Sequence, residues 1–566
     1  MSSEHKFSEL KSTLKKNKKT FLIVGLFSFL TNILMLVPPI YMLQIYDRVI
    51  KSNNENTLFV LTFMIIILFI TMALLEIVRS QILIKIGSSI DNAISNRIFD
   101  SLFQLELTDP KSANSSYLDY LTRIRQFMTG KSIFAVFDAP WITIYVIILF
   151  LFHTAFGVFA IIVILILLGV TVMNEIATSQ NLNEASKNNI ASNIYIDSSL
   201  KNAAVINSMG MRENIRKIWH KKYYGFLNLQ NDASYSASIW INISKSIRLM
   251  AQSLTLGIGA YLAIGYEVTP GTMIAASIIM SRALSPIDLI ISGWKGFIAY
   301  RTSYKRIDEL LNKFPEKKKT ISLKITDANL VLENIVVTPP NTKNETIKGI
   351  SLEIESGNVV AVMGKSGAGK STLIKGILNI WPLSGGKVKI DGVDVSMFDK
   401  VEIGPQIGYL PQDIELFEGT ISENISRFQK LDSQKVVLAA KKAGVHDLIL
   451  KFPKGYETKI TNSGDSLSGG QKQRIGLARA IYDNPNLVIL DEPNSNLDKE
   501  GEQALLNSIK SLKENNTTVI IITHKDNILD ITDKVLLIEN GLLKDYGNTQ
   551  EVLNKNQFFK VDNENV

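Results

Sequence analysis

Between residues 359 and 378 the chain reads VVAVMGKSGAGKSTLIKGIL, an apolar run, a glycine-rich turn and a helix-like segment in direct succession. That context makes a glycine pattern a phosphate site. Glycines let successive backbone N–H groups close around phosphate oxygens, and a helix N-terminus adds a favourable dipole. Lys370 would neutralise phosphate charge, and the Ser371 hydroxyl is suited to Mg²⁺. Gly364, Lys365, Ser366, Gly367, Ala368, Gly369, Lys370, Ser371 and Thr372 are the candidate phosphate-binding residues. A second apolar run, NLVILDEP, ends on two adjacent acids. Side by side at a strand end these are unfavourable unless a cation shares them, so Asp491 is assigned to the metal and Glu492 to an attacking water. The string LSGGQKQRIGLARA at residues 467–480 places Ser468, Gly469, Gly470 and Gln471 at the start of another helix, a second N-terminus suited to phosphate. One phosphate loop already serves this region, so the second helix start is expected to serve a neighbouring copy's nucleotide.

The elements that must hold these residues divide the chain in two. With 566 residues it exceeds one core, and 46% hydrophobic against 20% charged residues is apolar for a soluble protein. The apolar runs gather before about residue 300, whereas the rest alternates strand-like and helix-like segments from about residue 328. A helix needs about 20 apolar residues to cross a bilayer. Six segments qualify, near residues 21–45, 57–77, 137–152 with flanks, 155–173, 249–266 and 271–292. Basic residues crowd into the N-terminus (from Lys6 to Lys19) and into the loops 78–133 and 174–248, which puts both on the cytoplasmic side. Both long loops keep helical periodicity, so the spans are expected to continue as helices into the cytoplasm.

The net charge of +8 fits lipid-facing loops; no basic patch is interleaved with aromatics as single-strand binding would require, so nucleic acid is not expected. Zero cysteines exclude disulfides, thiolate metal sites and cysteine nucleophiles. Two charges in the sixth span, Arg282 and Asp288, lie six residues apart and off a common helical face, so they are not expected to pair with each other. Arg282 is read as lining a polar path. In FDAPW (residues 137–141), Asp138 is expected to cap N–H groups next to Pro140, and Trp141 suits the membrane interface.

GKSGAGKS, LSGGQ, LVILDEP, the Ser495-Asn496-Leu497-Asp498 turn and the His524 of VIIITHK together resemble an ABC ATPase domain, and six spans ahead of it resemble an ABC exporter half-transporter. The fold implied is a six-helix, all-α transmembrane domain followed by an α/β P-loop ATPase domain. Its expected bounds are a basic cytoplasmic N-terminus at 1–20, the exporter domain at 21–310, a linker at 311–327 and the ATPase domain at 328–566. The resemblance implies ATP and Mg²⁺ as cofactors. It makes Glu492 the general base, places Gln412 of YLPQD near Mg²⁺ and the attacking water, puts His524 on the γ-phosphate, and adds Asp498 to the nucleotide site. Coupling helices are implied near Asn114 to Asp119 and Ala203 to Met211. One departure is NIVVTPPNTKN, where such domains carry an aromatic for adenine; weak discrimination between ATP and GTP is therefore expected.

Strings such as VPPIYMLQIYDRVI, FDAPW, NAAVINSMGM, LPQDIELFEGT and DEPNSNLD resemble the protease/lipase-type branch of type I secretion exporters, without an N-terminal peptidase-like domain. That resemblance implies export of an unfolded polypeptide bearing a C-terminal signal, by a homodimer in the inner membrane, with a periplasmic membrane-fusion adaptor and an outer-membrane channel as partners. Membrane lipid surrounds the spans. The alternative is a lipid or small-molecule exporter of the same fold; a membrane-anchored regulator is disfavoured by six spans. Stimulation of ATP hydrolysis by a C-terminal substrate peptide, and not by lipid, separates the first two.

Overall fold

The computed structural model describes residues 9–110, 116–315, 324–461 and 467–556. The chain divides into two compact units: Met1–Gln104 with Ala113–Glu316, and Lys317–Val566 with Leu105–Ser112.

The first unit is helical. Among the described residues, five helices are long and apolar enough to cross a membrane: Lys18–Ser52, Glu55–Thr108, Thr154–Lys201, Arg212–Ile264 and Pro270–Lys313. A sixth is a pair, Lys131–Asp138 and Trp141–Phe152, bent by 53°. The count is therefore five or six, according to whether the bent pair is one span. The long periodic loops do continue as helix, since Glu55–Thr108 alone has 54 residues, far more than the roughly 20 a bilayer requires. The last helix runs to Lys313 and the first apolar one begins at Lys18. Short helices precede and join these: Glu9–Lys16, Ser116–Thr129 and Ala203–Ser208. Of the two stretches assigned to coupling helices, Asn114 and Ser115 lie outside the described residues, as does Lys6 of the basic start.

Polar and apolar residues are inverted relative to a soluble bundle. Phe59 is 75% exposed and Leu151 78%, an apolar surface that lipid would cover. Inside, Arg79 is buried with its guanidinium 3.2 Å from Asp138 Oδ1 and the same distance class, 3.1 Å, from the Ser28 hydroxyl. Asn32 donates to Asp138 at 2.8 Å, Tyr145 donates to Asn32 at 3.1 Å, and the Phe134 ring lies 4.1 Å from the guanidinium. Arg79, Asp138, Asn32 and Tyr145 each meet at least one polar partner here, as a low-dielectric interior demands, while Arg79 Nε makes no hydrogen bond.

The expected cap at FDAPW is corrected here. Ala139 and Pro140 keep right-handed helical backbone, with Ala139 N–H bonded to Ala135 O at 2.8 Å and Ile142 N–H to Ala139 O at 3.1 Å. The Asp138 carboxylate turns instead to Arg79 at 3.2 Å and Asn32 at 2.8 Å and makes no cap hydrogen bond. Arg282 and Asp288 do not pair, as expected; Asp288 binds Arg248 at 2.5 Å and Ser244 at 2.7 Å. At the opposite end, His153 Nε2 lies 3.0 Å from Glu267, bringing the two short turns together.

Among the described residues the second unit contains twelve strands: β1 (Leu330–Val337), β2 (Ile347–Ile354), β3 (Val359–Met363), β4 (Leu383–Ile390), β5 (Val393–Asp394), β6 (Ile407–Leu410), β7 (Gly419–Thr420), β8 (Lys459–Ile460), β9 (Leu487–Asp491), β10 (Thr518–Ile522), β11 (Lys534–Glu539) and β12 (Leu542–Asn548). An antiparallel sheet of order β2-β1-β4-β5 accompanies a six-stranded sheet of order β12-β11-β3-β10-β9-β6, parallel except for β12. Every residue of β3, β9 and β10 is buried, which is why these strands read as unbroken apolar runs instead of alternating ones.

Candidate nucleotide site

Strand register brings the chemistry to one edge. Ile522 of β10 pairs with Val362 of β3 and with Asp491 of β9, and Leu410 of β6 pairs with Leu490. The residues just past these positions are Gly364, His524, Glu492 and Gln412, so four parallel strands deliver them side by side at their carboxyl ends, where open α/β sheets place ligands.

The glycine turn has the expected form. Gly367 has φ +77 with open space around it, so its side-chain-free backbone is needed for conformation. At Gly364 a Cβ would stand 2.4 Å from Ile538 O, so there the need is for space. The helix Lys370–Ile377 begins directly after Gly369. Lys370 is buried, and its ammonium donates to Gly364 O at 2.6 Å and Lys365 O at 3.2 Å. Burial pulls its pKa below the ordinary lysine value, opposed by Glu492 and Asp491.

The acidic pair separates as β9 ends. Asp491 is 2% exposed and accepts from the Ser371 hydroxyl at 3.3 Å. Burial raises its pKa, the Ser371 hydrogen bond opposes this, and Glu492 adds to it. Glu492 takes a left-handed backbone, φ +47, and its side chain accepts from Gln412 Nε2 at 3.1 Å. His524 follows Thr523 beyond β10; desolvation, then Lys370, hold its imidazole below the ordinary range. A hydroxyl, a carboxylate and an amide oxygen (Ser371, Asp491, Gln412) form a hard-oxygen set that fits Mg²⁺.

The second helix start is set apart from this edge. Ser468 accepts from Gln471 N–H at 3.3 Å while Gln471 Oε1 accepts from Ser468 N–H at 2.9 Å, a complete capping box on helix Gly469–Ile481. Asp498 caps helix Lys499–Glu514 through Gly501 N–H at 2.8 Å and pairs with Arg474 at 2.5 Å. Gln473 donates to Pro493 O at 2.8 Å, and a Cβ on Gly470 would meet Asn496 O at 2.8 Å. Ser468 and Gln471 spend these hydrogen bonds within their own helix start.

Two arginines that the sequence reading passed over bind this region together. Arg427 donates to the carbonyls of Gly404, Ile407, Arg479 and Ala480 at 2.9–3.0 Å. Arg479 donates to Glu415 O at 3.2 Å and stands over the Phe417 ring at 5.2 Å. Their partners are backbone carbonyls, which carry no sequence signal; only the left-handed turn at Arg427 and Phe428 (φ +59 and +57) marks the place, and glycine is absent there.

Comparison with known proteins identifies the family of both units. Residues 347–495 match the ABC transporter family and residues 21–286 match the ABC transporter transmembrane region. The chain is 36% identical to the type I secretion system ATP-binding protein PrsD of Rhizobium meliloti, over 96% of this chain and 94% of that one. It is 26% identical to the leukotoxin export ATP-binding protein LtxB of Aggregatibacter actinomycetemcomitans and to the alpha-hemolysin translocation ATP-binding protein HlyB of Escherichia coli, in each case over 95% of this chain and 77% of the relative. A bacterial Atm1-family ABC exporter solved with ATP bound superposes with a TM-score of 0.83 at 19% identity, covering 96% of this chain and 97% of that one, which establishes the exporter fold. With an ATPase unit built as above and a helical unit exposing apolar residues, the chain belongs to the ABC transporters of type I secretion systems, as a multi-pass inner-membrane ATPase with its ATPase domain in the cytoplasm.

Proposed function

We propose that the protein exports a polypeptide across the inner membrane in one step, driven by ATP hydrolysis, as a homodimer working with a membrane-fusion adaptor and an outer-membrane channel. The observation that carries the hydrolytic part is the pair of contacts at adjacent strand ends, Gln412 to Glu492 at 3.1 Å and Ser371 to Asp491 at 3.3 Å. The export part is supported by similarity to secretion ATPases along nearly the whole chain. Under this reading residues 21–310 form the exporter domain with six spans, the bent pair counting as one, 311–327 the linker and 328–566 the ATPase domain. The exported chain is unfolded and bears a C-terminal signal, and bilayer lipid covers the exposed apolar faces.

ATP phosphates lie against the N–H groups of residues 364–372. Lys370 then exchanges Gly364 O for phosphate oxygen, a better partner for an ammonium than a carbonyl. Ser371, Asp491 and Gln412 would hold Mg²⁺, which supplies charge neutralisation at the phosphates. Glu492 accepts a proton from the water that attacks the γ-phosphorus as ADP leaves, and Gln412 orients the carboxylate. His524 donates to the γ-phosphate. Ser468, Gly469, Gly470 and Gln471 close on the partner copy's nucleotide, with Asp498 beside them. ATP and GTP are discriminated weakly, since residues 334–344 contain no aromatic for the base.

Glu492→Gln keeps the hydrogen bond with Gln412 possible but cannot take the proton. Hydrolysis by the full-length protein in nanodiscs is expected to fall by about 10²-fold or more while ATP binding is retained. Hydrolysis at the parent rate would remove Glu492 from the role of base.

A further inference from the structure

Residues from four helices of the membrane unit line a half-open cavity of about 310 Å³. Asn32 and Met35 line it from the first, Arg79 from the second, Lys131 and Asp138 from the bent pair and Arg282 from the last. Five charges face it when Glu76 is included. Arg79 is balanced by Asp138 at 3.2 Å and by Glu76 at 4.0 Å. Arg282 and Lys131 have no carboxylate partner among the described residues, and the guanidinium of Arg282 reaches only Met35 Sδ, at 3.9 Å. Lys131 is exposed within the basic stretch 78–133, whereas Arg282 is half-buried in the last span, where an unpaired cation is unfavourable unless water or a ligand solvates it.

A second feature of the same wall points the same way. Pro286 lies inside helix Pro270–Lys313 and lines the cavity with Ser285. Having no N–H, it cannot donate to the carbonyl four residues earlier, which is that of Arg282 itself. A freed carbonyl is tolerated at membrane depth where it borders a polar, hydrated space. The cavity therefore offers two cations and the hydroxyls of Ser80 and Ser285, and its surplus is positive.

We propose that this cavity is a carboxylate-binding station for the polypeptide in transit, with Arg282 and Lys131 as the groups that receive it. This rests on the export reading above. A carboxylate with its bound water fits the volume, and guanidinium to carboxylate is the strong charge-assisted pairing available to Arg282. The carboxylate could come from acidic side chains or from the chain terminus.

The test uses the full-length protein in phosphatidylcholine nanodiscs with a photo-crosslinking amino acid at position 289, on the cavity wall. The probes are 12-residue Gly/Ser peptides carrying three Asp or three Asn, each with a free or an amidated C-terminus. The Asp peptides are expected to crosslink several-fold better than the amidated Asn peptide. Arg282→Gln should weaken apparent affinity for the Asp peptide about 10-fold, whereas Arg282→Lys should lose less than about 3-fold. Lys131→Gln gives an independent loss if Arg282→Gln proves unstable. Acceptance of the Asn peptide only with a free terminus would identify the terminus as the source, and acceptance of amidated Asp peptide would identify side chains. Equal crosslinking of Asp and amidated Asn peptides, or acidic preference unchanged in both charge-removing variants, would overturn the carboxylate station while leaving polypeptide export standing. Anionic phosphatidylglycerol retained by the parent and lost by Arg282→Gln, with no peptide preference, would replace it with a lipid site. If no peptide crosslinks or alters ATP hydrolysis, the export reading falls as well.

Discussion

Lys370 and His524 act on each other's charge at the candidate nucleotide site. The lysine is buried against the carbonyls that phosphate would displace, and its positive field, after desolvation, holds the imidazole of His524 below the ordinary histidine value of about 6.5. The sign follows: a depressed imidazole pKa favours the neutral ring, so His524 is neutral above pH 6.5 and takes a proton only as pH falls through its lower folded value. A titration of isotopically labelled histidines in the nucleotide-free protein, with His524→Gln to assign the resonance among five histidines, should show a midpoint below 6.5. A midpoint above it would mean the field of Lys370 is screened. Glu492 shows a different residue-scale property. Its left-handed backbone, φ +47, is unfavourable by on the order of 1 kcal/mol for a residue with a Cβ. The motif predicted the type of residue there, but the turn that points its carboxylate at Gln412 comes from β9 ending beside β10, with Glu492 N–H on Ile522 O at 3.2 Å.

Arg427 acts between elements. Its guanidinium joins the C-terminal end of helix Gly469–Ile481 to the segment leading into β6, and Arg479 joins the same helix to the chain beyond Gln412. Close approach is built in, since a Cβ on Gly408 of β6 would meet Ala480 O at 2.1 Å. The helix that starts at Ser468 and the loop that carries Gln412 are thus tied at both flanks of the loop. Burial lowers the Arg427 pKa to about 10, so it stays charged at neutral pH. Arg427→Met would leave several carbonyls without a donor, and we expect the ATPase unit to lose at least about 2 kcal/mol, with Arg427→Lys recovering only part because one ammonium cannot span two chain segments. Thermal unfolding of the nucleotide-free protein reads this; an unchanged transition in Arg427→Met would show that water replaces the guanidinium. The bend at Ala139-Pro140 belongs to the same scale. Pattern alone suggested a capped helix start, whereas two helices meet at a 53° bend and Asp138 turns to Arg79 and Asn32, residues 59 and 106 positions away.

At the scale of the whole molecule, the proposed homodimer makes a direct prediction, helped by a chain that has no cysteine. With Ser366→Cys and Ser468→Cys introduced together on a Glu492→Gln background, ATP followed by mild oxidation should give a species of twice the chain mass. Failure to form it with ATP bound would argue against closure of Ser468 on a partner's phosphate loop. The apolar runs, the glycine turn, the acidic strand end and the basic loops were all legible in the amino-acid sequence. Each is a local property: burial on both faces writes an unbroken apolar strand, a bilayer writes a long apolar helix, and phosphate binding writes glycines next to a lysine. What only tertiary structure decided are the pairings between distant segments. These are the register that aligns Gly364, Glu492, His524 and Gln412, the carbonyl ties of Arg427, the Arg79-Asp138-Asn32 network and the cavity around Arg282. Backbone carbonyls are the same at every residue and a cavity is made by what surrounds it, so neither leaves a pattern in the order of side chains.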